Sequence, residues 1–341
     1  MPMHVFLYEW ITGGGLVDEA GRLPASLLAE GSAMISALAA DFLKIDGCEV
    51  TVLRDLRLTE LPLPRCNVID IHSAPHGVEE FDRTAAAADW SLVVAPEFDG
   101  ILRQRVARVR AVGGRALNAS DEFIAMASDK HETAARWHDA EVPVPHGRLI
   151  AADDPKLPAD FLYPAVLKPI DGAGSQHTLL VHGHTDEPPP YPWQRRLEEY
   201  RPGRAASVAV ICGVAMRQAL PPCWQHQSTD GRFTYRGGSL IRESVLAERA
   251  TSLSLRALTA LPPALGYVGV DLVLGEASDG SDDVAIEVNP RLTTSYVGLR
   301  AVMKQNLAQA MLVAAAGEDL QLTAADFGVE FSADGGVWVK P

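Results

Sequence analysis

The sequence predicts an α/β protein whose C-terminal part becomes α+β. Three observations carry this. Through the first third, short β-rich runs alternate with segments of helical period, which implies a parallel sheet with helices packed on it. The 341 residues, 47% hydrophobic and 22% charged, suffice for a large core in two or three domains. Further strands at 206–212, 268–274 and 284–288 come after a stiff proline-rich connector at 187–192.

Residues 4–8 read as the first strand, and Gly13-Gly14-Gly15 as a loop following it. Leu27, Met34, Ile35 and Leu38 recur at helical spacing, so 27–43 is expected to be an amphipathic helix. Strands are expected at 49–53, 68–71 and 92–95, and a helix at 101–112. Ser120, ahead of Asp121 and Glu122, is a candidate N-cap. Another helix can begin at Ser128-Asp129-Lys130 and must end by Val142-Pro143. Residues 153–158 read as a loop, 161–168 as a strand in spite of Pro164, and 301–315 as a helix. The chain shows no internal repeat and no low-complexity tract.

With 30 Lys and Arg against 44 Asp and Glu, the formal charge is −14. That argues against a phosphate-backbone binder, so no nucleic-acid partner is expected. Cys48, Cys66, Cys212 and Cys223 form no C-x-x-C pair and suggest neither a disulfide framework nor a zinc knuckle. The start lacks a basic region and meets Glu9 too early for a signal peptide, and no apolar run approaches the ~20 residues of a membrane span. A cytoplasmic protein without a membrane partner is expected. His72 with His76, and His182 with His184, lack a third ligand in sequence, so zinc is not expected. Ser73 has no nucleophile-elbow context. Gly13-Gly14-Gly15 lacks the G-x-G-x-x-G spacing and reads as a substrate-side loop.

The chemistry concentrates in three later stretches. Val166-Leu167-Lys168 runs into Gly172-Ala173-Gly174-Ser175: a strand, a lysine and a glycine-rich loop. Such a lysine can place its ammonium on phosphate oxygens, and the glycines let backbone N–H groups approach them. The lysine precedes the glycines, so this is not a Walker A loop, and an ordinary turn with a surface lysine is the alternative. Glu287 and Asn289 lie two apart on a strand and share a face, about 7 Å apart along the chain. A carboxylate and an amide oxygen so placed suit a hard cation that also holds nucleotide phosphates. Asp271 could add an oxygen from an adjacent strand, although singly it reads as a strand-edge residue. Arg291 sits just beyond, where it could meet a phosphate or a substrate carboxylate bidentately. Between these stretches, Glu198, Glu199, Tyr200 and Arg201 precede Pro202-Gly203. An extended backbone beside a carboxylate can read an adenine; a solvated turn is the plainer alternative.

In their order and separation these pieces resemble the ATP-grasp superfamily over residues 128–299. The resemblance implies that Lys130 and Lys168 hold ATP phosphates, covered by the loop with Gly172, Gly174 and Ser175. It implies that the stretch with Glu198, Glu199, Tyr200 and Arg201 is the hinge that hydrogen-bonds adenine, and that Asp271, Glu287 and Asn289 hold Mg2+ or Mn2+. The corresponding architecture is an N-terminal Rossmann-like pre-ATP-grasp domain at 1–120, a lid subdomain at 121–200 and a C-terminal core with the metal site at 201–341. Two positions depart from the pattern. Ala205 stands where many members carry a ribose-binding glutamate, and Gly269 where D-alanine–D-alanine ligases carry an arginine. The catalytic cation would then be Arg291 or Arg242.

A narrower resemblance is to the tyramine–glutamate ligase group. It rests on residues 5–10 with their glycine loop, Gly203 with Ser207-Val208, Gln225, Tyr235-Arg236-Gly237-Gly238 and the run from Asn289 to Tyr296. It implies an ADP-forming ligase that activates glutamate as an acyl phosphate and joins it to tyramine or tyrosine, in methanofuran- or methylofuran-type cofactor synthesis. The partners would be an amino acid and an amine; a homodimer is compatible with this reading, though the sequence does not set the oligomeric state. The rivals are another amino-acid or dipeptide ligase, a non-catalytic ATP-binding regulatory protein, and a carboxylase.

Overall fold

The computed structural model describes residues 2–340 apart from Asp154, Pro155, Ala173, Ala215 and Leu320. Part of the expected 153–158 loop and Ala173 of the glycine-rich loop therefore lie outside the described residues.

The N-terminal sheet is made of β1 (Met3–Glu9), β2 (Cys48–Asp55), β3 (Asn67–Ile71) and β4 (Trp90–Val94), in the order β3-β2-β1-β4. All its pairings are parallel. Helices α1 (Ala25–Phe42), α2 (Ala74–Ala87) and α3 (Ile101–Ala111) cover it. Alternation along β1 explains why both faces are covered. Val5 and Leu7 join the core with Met34, Ile35 and Leu38 of α1, while Phe6 and Tyr8 join the one with Phe81 of α2 and Val106 of α3. Among the described residues, α1 is the single helix long and apolar enough to cross a membrane. Met34, Ile35 and Leu38 are instead buried inside the protein.

Two short helices follow, α4 (Asp121–Ser128) and α5 (Lys130–Asp139). Ser120 caps the first by accepting from the Phe123 N–H, and Asp129 caps the second by accepting from His131 and Glu132. That second cap makes Lys130 the first residue of α5 and fixes its direction.

A small antiparallel sheet comes next: β5 (Gly147–Ile150), β6 (Ala165–Pro169), β7 (Leu179–Val181) and β8 (Arg195–Glu199), in the order β5-β8-β6-β7. The strand expected at 161–168 is shorter at its start and begins at Ala165. Pro164 has no N–H to donate to a ladder.

The large sheet holds β9 (Arg204–Cys212), β10 (Arg217–Ala219), β11 (Cys223–Gln227), β12 (Tyr235–Leu240), β13 (Gly266–Leu274), β14 (Val284–Asn289), β15 (Gly328–Ser332) and β16 (Val337–Lys340). Its order is β14-β13-β9-β11-β12-β15-β16, with β10 also paired to β9. Helices α6 (Ser244–Thr259), α7 (Ser295–Val302) and α8 (Leu307–Ala315) accompany it. The helix expected at 301–315 is interrupted: α7 stops at Val302, and the Asn306 side chain caps a new helix by accepting from Ala308 and Gln309.

The N-terminal layer is joined to the large sheet by a buried polar contact. Asp41 of α1 accepts from Arg300 Nε at 2.6 Å and Nη2 at 2.5 Å, and from the Tyr296 hydroxyl at 2.9 Å. The core is continuous across this junction, with Val5 and Leu7 in one cluster with Tyr296 and Met311.

Candidate active site

Strand register creates the centre of the site. In the β13–β14 ladder Asp271 lies opposite Glu287 and Gly269 opposite Asn289. Cross-strand partners on one face stand about 5 Å apart, so the two carboxylates share one spot. Asp271 accepts from Gln225 Nε2 at 2.9 Å and from Asn289 Nδ2 at 3.2 Å. Burial, then the charge of Glu287, push the Asp271 carboxyl up to about 8. Burial also disfavours a charged Glu287, but Lys130 and Lys168 outweigh it and hold that carboxyl below its usual range.

Both lysines converge here. Lys130 Nζ donates to the Gly172 carbonyl at 2.6 Å and lies 3.2 Å from Glu287 Oε2, which ties α5 to the glycine-rich loop. Burial works against the Lys130 charge, but Glu287 and Glu97 more than offset it and keep the group protonated. Lys168, only 4% exposed, lies with Nζ 2.6 Å from Glu198 Oε1. The surface-lysine alternative for Lys168 is thereby removed. Glu198 also takes Arg196 Nε at 2.9 Å, and Arg196 Nη2 donates to the Pro145 carbonyl.

These groups line one cavity enclosing about 1310 Å³ of empty space up to its open mouth. The cavity is an open cleft lined by residues of α1, α5, the small sheet and the large sheet. Of the residues singled out in the sequence, Lys130, Lys168, Gly172, Gly174, Ser175, Glu198, Glu199, Tyr200, Arg201, Asp271, Glu287, Asn289 and Arg291 all line it. Gly174 and Ser175 hold left-handed backbone, φ 62° and 58°. Arg242 is not brought in: it is exposed, with its stem beside Gly328 of β15.

Arg291 is fixed from the N-terminal layer. Its Nε lies 2.9 Å from Glu97 Oε1, and Nη2 donates to Glu97 Oε2 at 3.1 Å. Sequence reading missed Glu97, which follows β4, although the C-terminal ends of parallel strands are where ligands and their partners gather. It also missed Glu30 of α1, which enters the cavity 264 residues from the Thr294 that donates to it. No local signal could have joined the two.

The departures have physical readings. Ala205 lines the cavity but offers no carboxylate. A Cβ at Gly269 would lie 2.7 Å from Thr293 Cγ2, so a large side chain there requires Thr293 to move. The donor set fits a hard divalent cation: two carboxylates and an amide, all oxygen donors, with one carboxylate destabilised by the other. Asn289 presents its Nδ2 to Asp271, so its amide would turn over to offer oxygen to a cation. Among the described residues no cluster of three or more His, Cys, Asp or Glu exists to hold a metal. All four cysteines are free, and the His72 and His76 rings stack at 4.0 Å.

Comparison with known proteins agrees with this geometry. A model of the ATP-grasp domain matches residues 127–295, and one of the pre-ATP-grasp domain matches 48–124, together well over half of the chain. The chain is similar to tyramine–L-glutamate ligase from Methanocaldococcus fervens, 24% identical over 319 residues that cover 93% of this chain and 95% of the relative. The namesake from Methanocaldococcus jannaschii is also 24% identical, over 93% and 91%. Among solved structures, an ATP-grasp superfamily protein from Archaeoglobus fulgidus superposes with TM-score 0.71 at 23% identity, covering 96% of this chain and 92% of that one. An L-amino acid ligase from Bacillus licheniformis gives 0.66 at 14%, over 96% and 79%. With the paired domain matches, the shared fold and the converging lysines and carboxylates in place, the chain belongs to the ATP-grasp family of carboxylate–amine ligases.

Proposed function

We propose that the protein is an ADP-forming ligase that joins a carboxylate of glutamate to the amine of tyramine or tyrosine, as a step in methanofuran-type cofactor synthesis. The observation that carries the reading is the convergence of two lysines, two facing carboxylates and Arg291 on one cavity. Similarity to the two tyramine–L-glutamate ligases along almost the whole chain supports the substrate pair.

In this reading Lys168 and Lys130 hold the outer phosphates of ATP, and the backbone of Gly172, Gly174 and Ser175 covers them. Residues 198–201 receive the adenine. Asp271, Glu287 and Asn289 hold Mg2+ or Mn2+, which would supply charge neutralisation on the phosphates. A glutamate carboxylate oxygen attacks the γ-phosphorus, ADP leaves and an acyl phosphate forms. The neutral amine then attacks the acyl carbon, phosphate departs and the ammonium proton is lost to solvent or a nearby base. Arg291 neutralises charge on the transferring phosphoryl group. No protein nucleophile takes part; positioning and electrostatics supply the catalysis. Gly172, Gly174 and Ser175 shield the acyl phosphate from water.

Incubation with ATP, Mg2+, glutamate and tyramine or tyrosine, followed by mass spectrometry, is expected to show a γ-glutamyl amide. ADP release with a different amine only would leave the chemistry standing and remove the substrate assignment.

A further inference from the structure

Glu30 lines the same cavity from α1. Its Oε2 accepts from the Thr294 hydroxyl at 2.9 Å and its Oε1 from the Ser26 hydroxyl at 3.4 Å. Both partners are neutral. The nearby guanidinium, Arg291, is engaged by Glu97. Glu9, also within the field of Arg291, is held by Thr12 and Ile11 through three hydrogen bonds. Arg291, which also lies in the field of Glu287, is thus shared among four carboxylates, of which Glu30 has neither an ion-pair partner among the described residues nor a backbone cradle. Burial disfavours its charge and pushes its carboxyl above the usual range. A carboxylate withdrawn from water is stabilised by a cation that also donates hydrogen bonds.

We infer that Glu30 forms an ammonium subsite that receives the α-ammonium group of the amino-acid donor and selects it over a plain diacid. This rests on the ligation proposed above and names the donor class of that site. The acceptor amine is the poorer match: it must be neutral to attack, and a carboxylate paired with it would hold it protonated. The donor's α-amino group takes no part in bond formation and keeps its charge throughout.

The test compares glutamate with glutarate, which has the same two carboxylates and no ammonium. Rates of ADP release are measured with ATP, Mg2+ and tyramine. The wild type is expected to favour glutamate in kcat/KM by at least about tenfold, the scale of one charge-assisted hydrogen bond, and Glu30→Gln to shrink that preference by a similar factor. Thr294→Val, which removes the hydroxyl that steadies Oε2, is expected to shrink it less. It serves if Glu30→Gln does not fold. A wild type that uses glutarate as well as glutamate overturns the subsite, and so does a folded Glu30→Gln that keeps the ratio within about threefold of wild type. If another amino acid proves to be the donor, the same ratio against its des-amino counterpart decides in the same way, while the glutamate assignment alone falls. No ADP release with any acid would overturn the ligation reading, and the subsite with it.

Discussion

Replacing Lys168 with Met separates a phosphate-binding lysine from a merely structural one. The substitution removes an ammonium 2.6 Å from Glu198, in a pair whose side chains are each 5% exposed. Breaking a buried pair costs about 3–5 kcal/mol when the surviving charge is orphaned. Glu198 keeps Arg196 Nε at 2.9 Å, so the cost belongs at the lower end, about 3 kcal/mol. The loss on the ligand side is worked separately. An ammonium about 4 Å from a phosphate charge at an effective dielectric of about 20 gains about 4 kcal/mol. Release from Glu198 in the nucleotide-bound state offsets part of this. A net loss of about 2–3 kcal/mol corresponds to ATP binding weakened by roughly 30- to 150-fold. Calorimetric titration of ATP into the variant, at a temperature where circular dichroism shows it folded, measures this directly. Unchanged affinity together with unchanged kcat would refute the reasoning and make Lys168 a structural partner of Glu198 alone.

Turnover is expected to need Mg2+ or Mn2+ and to stop with EDTA, and Glu287→Gln is expected to lower kcat by more than about a hundredfold, ~2.7 kcal/mol of lost transition-state stabilisation; full activity after metal-free dialysis would contradict both. Asp41 carries a pH dependence: burial raises its carboxyl, but the Arg300 hydrogen bonds and charge overcome that and hold it below the ordinary carboxylate range. Its contribution is therefore full above the unfolded value of about 3.9 and is lost as pH falls through the lower folded value. Asp41→Asn is expected to lose about 3 kcal/mol near neutrality and to flatten the acid limb of a urea-denaturation series, whereas an unchanged acid limb would remove Asp41 from the account of acid stability. Thr293→Ala is expected to leave ATP affinity within about twofold, because Thr293 fills the space above Gly269 and has no phosphate role assigned; a tenfold loss in the same titration would reassign it.

The sequence made legible those parts of the site that local register creates. Glu287 and Asn289 are two apart on one strand, so their common face follows from strand geometry, and Asp271 needed only the neighbouring strand to pair with it. The parallel N-terminal sheet was legible because its strands are apolar and separated by helical periods. Strand β8 was less so: a solvated turn was the plainer alternative for the stretch with Glu198 and Glu199, yet most of the strand is buried because Arg196, Glu198 and Lys168 neutralise one another. The break before α8 depends on a single capping side chain, Asn306, inside an otherwise helical composition. Glu97 and Glu30 were illegible because their partners lie 194 and 264 residues away, and only the packing of the N-terminal layer on the C-terminal part, α1 against α7 and α8 included, joins them.

The most direct test follows the oxygen. Glutamate carrying heavy oxygen in its carboxylates is incubated with the enzyme, ATP, Mg2+ and tyramine, and the nucleotide and inorganic phosphate are analysed by mass spectrometry. Attack on the γ-phosphorus beside Lys168, Glu287 and Asn289 gives ADP, and each phosphate released carries one heavy oxygen from the donor. AMP with pyrophosphate, or ADP with unlabelled phosphate, would contradict activation of the carboxylate as an acyl phosphate at this site.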